Sequence, residues 1–225
     1  MFDRIVPKYD FLNHFLSIGF DYGWRKKAVK SFSNIKNDDV VLDICSGTGD
    51  LLYTFIDRKK MPVHSISLDG SYKMLDEGRK KAFKKEYSGN ISYLAADAMK
   101  LPLGESCVNA AMCAFGVRNL PDSQKGIKEI FRVLKRGGEF VILEFSVPEN
   151  RLFKAIYGFY FRRVLPLTGG LISGDRHAYS YLVKSVYSFD ENTDVCAQLT
   201  KAGFDSIKRN KLTFGIVSLY YAKKP

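Results

Sequence analysis

The sequence has little that would commit it to a metal, a disulfide framework or a membrane span. Its four cysteines, Cys45, Cys107, Cys113 and Cys196, form no CxxC pair. Three of them sit in apolar or glycine-flanked stretches, where a thiol behaves as a small hydrophobe, so a reducing compartment is expected. His14, His64 and His177 lie far apart with no partner at i+4, which argues against a zinc or iron site. No run reaches the roughly 18 apolar residues of a spanning helix, and the opening MFDRIVPKYD lacks the long apolar stretch of a signal peptide. The expected location is the cytoplasm, with any membrane contact peripheral. Internal repeats, low-complexity segments and RNA-binding signatures are also missing.

What is present is an ordinary globular composition. Of 225 residues, 46% are hydrophobic and 26% charged, enough to bury a core and far from a disordered chain. One domain spanning 1–225 is the expectation at this length. Charge is lopsided, with 35 Lys and Arg against 24 Asp and Glu and a formal net charge of +11. Such an excess suits an acidic partner, either nucleic acid or an anionic membrane surface. It equally suits solvated helix faces, because lysines recur on predicted helices, as in RKKAVK and RKKAFKK.

Residues 8–34 read as helical, with Leu12, Phe15 and Leu16, then Trp24, Ala28 and Val29, interrupted by the glycine-containing SIGFDYG. Strand and helix then alternate. DVVLDI (39–44), VHSISLD (63–69), ISYLAAD (91–97), CVNAAMCAF (107–115) and EFVILEFS (139–146) read as strands. DLLYTFIDR (50–58), SYKMLDEGRKKAFKKE (71–86) and PDSQKGIKEIFRVLK (121–135) read as helices, with Asp50 placed to cap the first or favour its positive end. The alternation predicts right-handed crossovers and a parallel sheet covered on both faces. In the tail, a helix over ENTDVCAQLTKAGF precedes two strands, DSIKRN and LTFGIVSLYYA, whose link is too short for a helical crossover. At least one of them runs antiparallel to its neighbour. The fold class is α/β and Rossmann-like: seven strands, mostly parallel with a C-terminal antiparallel hairpin, as in class I S-adenosylmethionine-dependent methyltransferases.

In such a sheet the ligand lies beyond the carboxyl ends of the strands. VVLDICSGTGDLL places Asp43 before Gly47 and Gly49, whose bareness admits a close ligand. Asp69, twenty residues after Gly49, ends the second strand where a carboxylate can accept from ribose hydroxyls. A dinucleotide site would want a third small residue where Leu52 stands, and Asp50 would repel a phosphate. Both points favour S-adenosylmethionine, a cofactor without phosphates whose sulfonium cation Asp43 and Asp50 would tolerate. Asp97 and the backbone of Ala98 would meet the adenine, unless Asp97 is only a turn residue.

The sequence resembles the ubiquinone/menaquinone biosynthesis C-methyltransferases over nearly its whole length. The resemblance rests on YDFLNHFLSIGFDYGWRKKAV (9–29), LDICSGTGD, FGVRNLPD (115–122), RVLKRGGEFVILEFS (132–146) and YSYLVKSVYSF (179–189). FGVRN and LEFS are far more specific than the glycines. The resemblance implies cofactor contacts at Thr48, Asp69, Asp97, Ala98 and the position before Phe115, often Ser in the family but Ala114 here, which leaves only backbone contact. It also implies a short N-terminal extension ahead of this chain's first residue. The implied acceptor is a ring carbon of a polyprenylated benzoquinol or naphthoquinol.

Methylating such a carbon requires a phenolate that feeds charge into the ring. Arg118 and Asn119, at the sheet's carboxyl edge, are the candidate polar anchor, with Tyr9 and Asn13 closing over it and Phe115 lining the acceptor. His177 is a candidate general base, or else a structural donor. A helical cap over 1–34 and an insertion over 150–182 frame the site. In the insertion Leu152, Phe153, Ile156, Tyr157, Tyr160 and Val164 recur at helical spacing, with Arg151, Lys154 and Arg162 elsewhere on the wheel. This stripe can line a prenyl channel through Tyr157 and Tyr160, lie in an anionic bilayer interface, form a homodimer contact or simply be core. PLTGGLISG suits a lid. The rival readings are a methyltransferase of another small lipophilic acceptor, a basic RNA methyltransferase, and an inert scaffold. An inert scaffold should have lost acids such as Asp43, Asp69 and Asp97; binding to nucleic acid is not expected.

Overall fold

The structure is a computed structural model that describes residues 14, 17–87, 90–160, 163 and 176–225, with the side chains of 156 and 176–180 left aside. Seven strands form one sheet: β1 (Val40–Ile44), β2 (His64–Asp69), β3 (Ile91–Ala95), β4 (Val108–Ala114), β5 (Leu134–Phe145), β6 (Asp205–Leu212) and β7 (Val217–Lys223), in the order β3-β2-β1-β4-β5-β7-β6. The first five are parallel, as the alternation predicts. In the tail, β7 is the reversed strand. It inserts between β5 and β6 and pairs antiparallel with both.

The α-helices among the described residues are α1 (Phe20–Lys30), α2 (Asp50–Lys59), α3 (Tyr72–Lys84), α4 (Ser123–Val133), α5 (Arg151–Phe159), α6 (Arg176–Asn192) and α7 (Val195–Ala202). Three of these starts follow side-chain capping chemistry: Ser71, Asp122 and Asp194 each accept a hydrogen bond from a first-turn amide. The expected interruption of the first helical segment is Gly19, at φ 74°, while Phe20–Gly23 belong to α1. The α4 helix ends at Val133, two residues before the expected end, and Gly137 at φ 76° lies in the irregular stretch that leads into the main run of β5.

Alternate residues of the central strands feed two cores. Leu42, Ile44, Phe140 and Ile142 pack with Ile127, Ile130 and Leu199 on one face. Val41, Met112, Val141 and Leu143 pack with Trp24, Ala28, Leu52 and Phe55 on the other. Both sheet faces are therefore covered, the condition for parallel strands with near-continuous apolar runs. One buried acid ties the segment after α1 into this frame. Glu139 accepts from the Ser33 hydroxyl at 2.6 Å, the Tyr221 hydroxyl at 2.8 Å and the Ser33 and Asn34 amides. Among the described residues, no helix is long and apolar enough to cross a membrane. Five cations, Lys26, Lys27, Lys30, Arg58 and Lys59, line a groove of about 350 Å³ at the C-terminal ends of α1 and α2. Positive charge is favoured there by the helix dipoles, so this part of the basic excess has a structural explanation.

Candidate active site

The glycine loop leaves β1 through an abrupt turn. Cys45, Gly47 and Gly49 all have positive φ, at 53°, 56° and 84°, and a Cβ on Gly49 would lie 2.6 Å from the Tyr53 ring. Only glycine meets both demands at position 49. Asp69, at the end of β2, fastens the loop by accepting from the Gly47 amide at 2.9 Å and the Ser71 amide at 2.8 Å. A carboxylate has about four acceptor sites, so one positioned by amides can also receive ribose hydroxyls.

Asp43 is 1% exposed, and neither carboxyl oxygen has a hydrogen-bond partner. Burial pushes its pKa well above the ordinary carboxylate value. The Leu52 amide, near but outside hydrogen-bonding geometry, and Arg25 pull it down, while Asp69 and Asp50 push it further up. A buried acid without a partner is costly, and a cation placed beside it would relieve that cost.

Asp50 is not the helix cap: the cap residue is Gly49, with no side-chain hydrogen bond. Nor is it simply an acid facing the ligand. Lys81 Nζ lies 2.6 Å from its Oδ1, Arg25 lies 3.3 Å and His14 Nε2 3.7 Å from its Oδ2. Burial works against this carboxylate, but Arg25, Lys81 and His14 outweigh it and hold its pKa below the usual value. Lys81 also donates to Thr48 Oγ1 at 3.2 Å. His14 and Arg25 both reach buried Asp21 as well, so His14 and α1 are joined to the glycine loop through charges far apart in sequence. Sequence reasoning missed this network entirely. Its only signal was an Asp and an Arg at i, i+4, Asp21 and Arg25.

Asp97 lies two residues beyond the end of β3 and is exposed. Its Oδ1 accepts from the Met99 amide at 2.8 Å, and no helix follows. The Ala96 amide bonds the Asp69 carbonyl at 3.1 Å, which keeps Asp97 and buried Ala98 beside the end of β2.

At the end of β4, Ala114 leads into Phe115 at φ 58° and then Gly116, which lies over Cys45 and Cys113. The Cys45 thiol and burial both push the Cys113 pKa up, so these sulfurs pack as neutral thiols. A Cβ at Gly116 would lie 2.4 Å from Cys45 Cβ and 2.9 Å from Cys113 Sγ. Gly116→Ala is therefore expected to cost about 1–3 kcal/mol, measured as a shift in the urea unfolding midpoint.

The structure corrects the expectation that Arg118 is an open anchor for an anion. Its side chain is 7% exposed and pairs with Glu144, itself 1% exposed, at 2.7 Å; it also donates to the Phe115 carbonyl and lies over the Phe145 ring at 5.4 Å. The carboxylate of LEFS takes most of the guanidinium's charge and geometry. One donor, Arg118 Nε, is buried without a partner. Asn119 donates to the Phe115 carbonyl at 3.2 Å and accepts from the Tyr181 hydroxyl of α6 at 3.3 Å.

Aromatic rings wall this corner. Phe115 and Phe145 have centroids 4.4 Å apart, and Trp24 meets them edge-on at 6.2 and 6.3 Å. The α5 stripe is split. Tyr157 is 5% exposed, its pKa raised chiefly by burial, and Phe153 stacks on Phe214, whereas Leu152 is 66% exposed. Tyr160 is half-buried just beyond the helix. The α6 helix runs on to Asn192, past the expected insertion boundary at 182. Tyr9, Asn13 and Val164 lie outside the described residues, as do the side chains of Ile156 and His177; the backbone of His177 is in α6.

Residues 1–224 match the profile of the ubiE/COQ5 methyltransferase family. The chain belongs to this family. It is 40% identical to a Geotalea daltonii protein named ubiquinone/menaquinone biosynthesis C-methyltransferase UbiE, over 100% of this chain and 94% of that one. It is 37% identical to the demethylmenaquinone methyltransferase of Bacteroides fragilis, over 100% of this chain and 91% of that one. Among solved structures, a Thermotoga maritima protein described as a possible histamine N-methyltransferase superposes with TM-score 0.66 at 20% identity, covering 100% and 98% of the two chains. Haemonchus contortus phosphoethanolamine N-methyltransferase 2, solved with S-adenosyl-L-methionine, gives 0.62 at 16% identity, covering 90% and 52%. These likenesses show the fold. The protein is thus a methyltransferase, and family and fold together imply S-adenosylmethionine. The site fits that cofactor: an unpartnered acid for a cation, bare glycines for close approach, and an amide-held Asp69 for a ribose.

Proposed function

We propose that this methyltransferase acts on a ring carbon of a polyprenylated quinol, a demethylnaphthoquinol or the corresponding benzoquinol. The observation that carries the reading is the corner where FGVRN and LEFS meet: a buried guanidinium with one unpartnered N–H, lying over Phe145, whose ring clusters with Phe115 and Trp24 beside the glycine loop. Aromatic walls suit a flat ring, and the relatives' names specify quinone biosynthesis.

S-adenosylmethionine, when bound, supplies an electrophilic methyl group. Asp43 balances its positive charge, Asp69 holds its ribose, and Thr48, Ala98 and the backbone at Ala114 complete the cradle. Arg118 Nε donates to a ring oxygen and favours that oxygen as phenolate, which raises electron density at the ring carbon. Glu144 fixes the guanidinium so that no reorganisation is needed when charge develops. Asn119 positions the Phe115 turn, Tyr157 and Tyr160 are the candidates to meet the tail, and Tyr9 and Asn13, outside the described residues, are candidates to contact the acceptor. Trp24, Phe115 and Phe145 exclude water, so orientation and electrostatics each contribute several kcal/mol, by order of magnitude. His177 is the candidate to receive the hydroxyl proton.

The test is transfer of labelled methyl from S-adenosylmethionine to a short-tailed 2-demethylmenaquinol and to a demethylated benzoquinol, with and without reductant. Product is expected only under reducing conditions, and the preferred ring identifies the pathway. Cofactor binding without transfer to either acceptor would reject the quinol reading.

A further inference from the structure

We infer that the surface formed by the start of α1, the turn at Thr213–Gly215 and the first turn of α5 docks on an anionic phospholipid bilayer. This inference rests on the quinol reading only for its purpose. Its evidence is a row of large apolar side chains left in solvent: Phe20 at 55%, Phe214 at 68% and Leu152 at 66% exposure. Phe20 and Phe214 are physically connected, and Leu152 precedes Phe153, the ring that Phe214 stacks on. Phe20 stacks on Trp24, the Trp24 indole N–H donates to Thr213 at 2.7 Å, and Phe214 stacks on Phe153 at 4.2 Å. The turn itself is pinned to the carboxyl end of β5, where Ser146 donates to the Gly215 carbonyl at 2.8 Å.

Two features select a bilayer as the occupant. The first is charge. Glu149, just before α5, is paired with Lys211, and Asp21, next to Phe20, is buried and paired with Arg25, whereas exposed Arg151 and Lys154 of α5 have no ion pair among the described residues. Apolar side chains flanked by unmatched cations suit acyl chains beneath anionic headgroups. The second is continuity. Trp24 lies behind Phe20 and contacts Phe115 and Phe145, so an unbroken aromatic path leads from the exposed patch to the reacting corner. A prenyl tail entering along this path would not have to cross water.

The experiment is co-sedimentation of the full chain with phosphatidylcholine vesicles, with and without phosphatidylglycerol, compared with the double variant Leu152→Ser, Phe214→Asn. Asparagine tolerates the φ of 56° at position 214. Binding only to the anionic vesicles, reduced about tenfold or more in the variant, is the expected result. Turnover of a soluble short-tailed quinol without vesicles should stay within about twofold, showing an intact fold. Equal vesicle binding by parent and variant, or no binding by the parent, would overturn the inference. So would a parent dimer that the variant converts to monomer, because a second copy would then be the occupant. If the parent binds vesicles but methylates no quinol, the functional reading fails and the docking surface stands.

Discussion

Asp43→Asn is expected to weaken S-adenosylmethionine binding about a hundredfold while making the ligand-free protein more stable. The residue is buried with no partner for either oxygen, so its charge destabilises the empty fold and is useful only beside a cation. Losing that pairing corresponds to about 2.7 kcal/mol. The pH dependence follows from its raised pKa. At the lowest pH the carboxyl is protonated in both folded and unfolded chains, and no cost of burying its charge arises. As pH rises above the unfolded value of about 4, the unfolded chain ionises first, so stability falls until the folded carboxyl also ionises. The stability advantage of the variant should therefore grow across that window and then level off, and parental cofactor affinity should rise over the same range. Thermal unfolding against pH and titration calorimetry measure the two. Comparing S-adenosylmethionine with S-adenosylhomocysteine, which lacks the sulfonium charge, adds a discriminating readout. Equal losses would assign Asp43 to the amino group, and a larger loss for S-adenosylmethionine to the sulfonium. Undiminished binding by the variant would refute the assignment.

Arg118→Met and Glu144→Gln should each destabilise the fold by about 3–5 kcal/mol, because each leaves a disturbed or unpaired group in a buried ion pair. The double variant should recover much of that loss, since a neutral pair removes the unmet charge. Its turnover should nevertheless remain depressed by roughly 100- to 1000-fold, the usual effect of removing a preorganised donor. Urea unfolding and single-turnover methyl transfer on the same three variants separate the roles. A stable double variant with parental turnover would reduce Arg118 to a strut and leave the phenolate without its proposed donor.

These two residues also mark where sequence and structure part. Asp43 was legible as a candidate because its signal is local: an acid at the end of an apolar run, followed by bare glycines, is readable within a dozen residues. Arg118 was legible as polar and well placed, but its burial against Glu144 was not, because nothing in FGVRN indicates which of 24 acids it meets. The same holds for His14, which the sequence addressed only as a poor metal ligand and which lies between Asp21 and Asp50. It holds for Glu139 too, which reads as an ordinary strand residue and instead holds the segment after α1.

The sequence by itself determined the alternation of strands and helices, the parallel core, the antiparallel tail, the glycine turn after β1 and the family. All of these depend on periodicity, backbone permissiveness and short motifs, which act between near neighbours. Tertiary structure alone decided that β7 rather than β6 reverses, that Asp97 sits exposed beyond β3, and that in the α5 stripe Tyr157 is buried while Leu152 faces solvent. It also decided which charges pair. A charge reaches only a few ångströms once buried and has no address along the chain, so its partner is determined by how the sheet and helices pack.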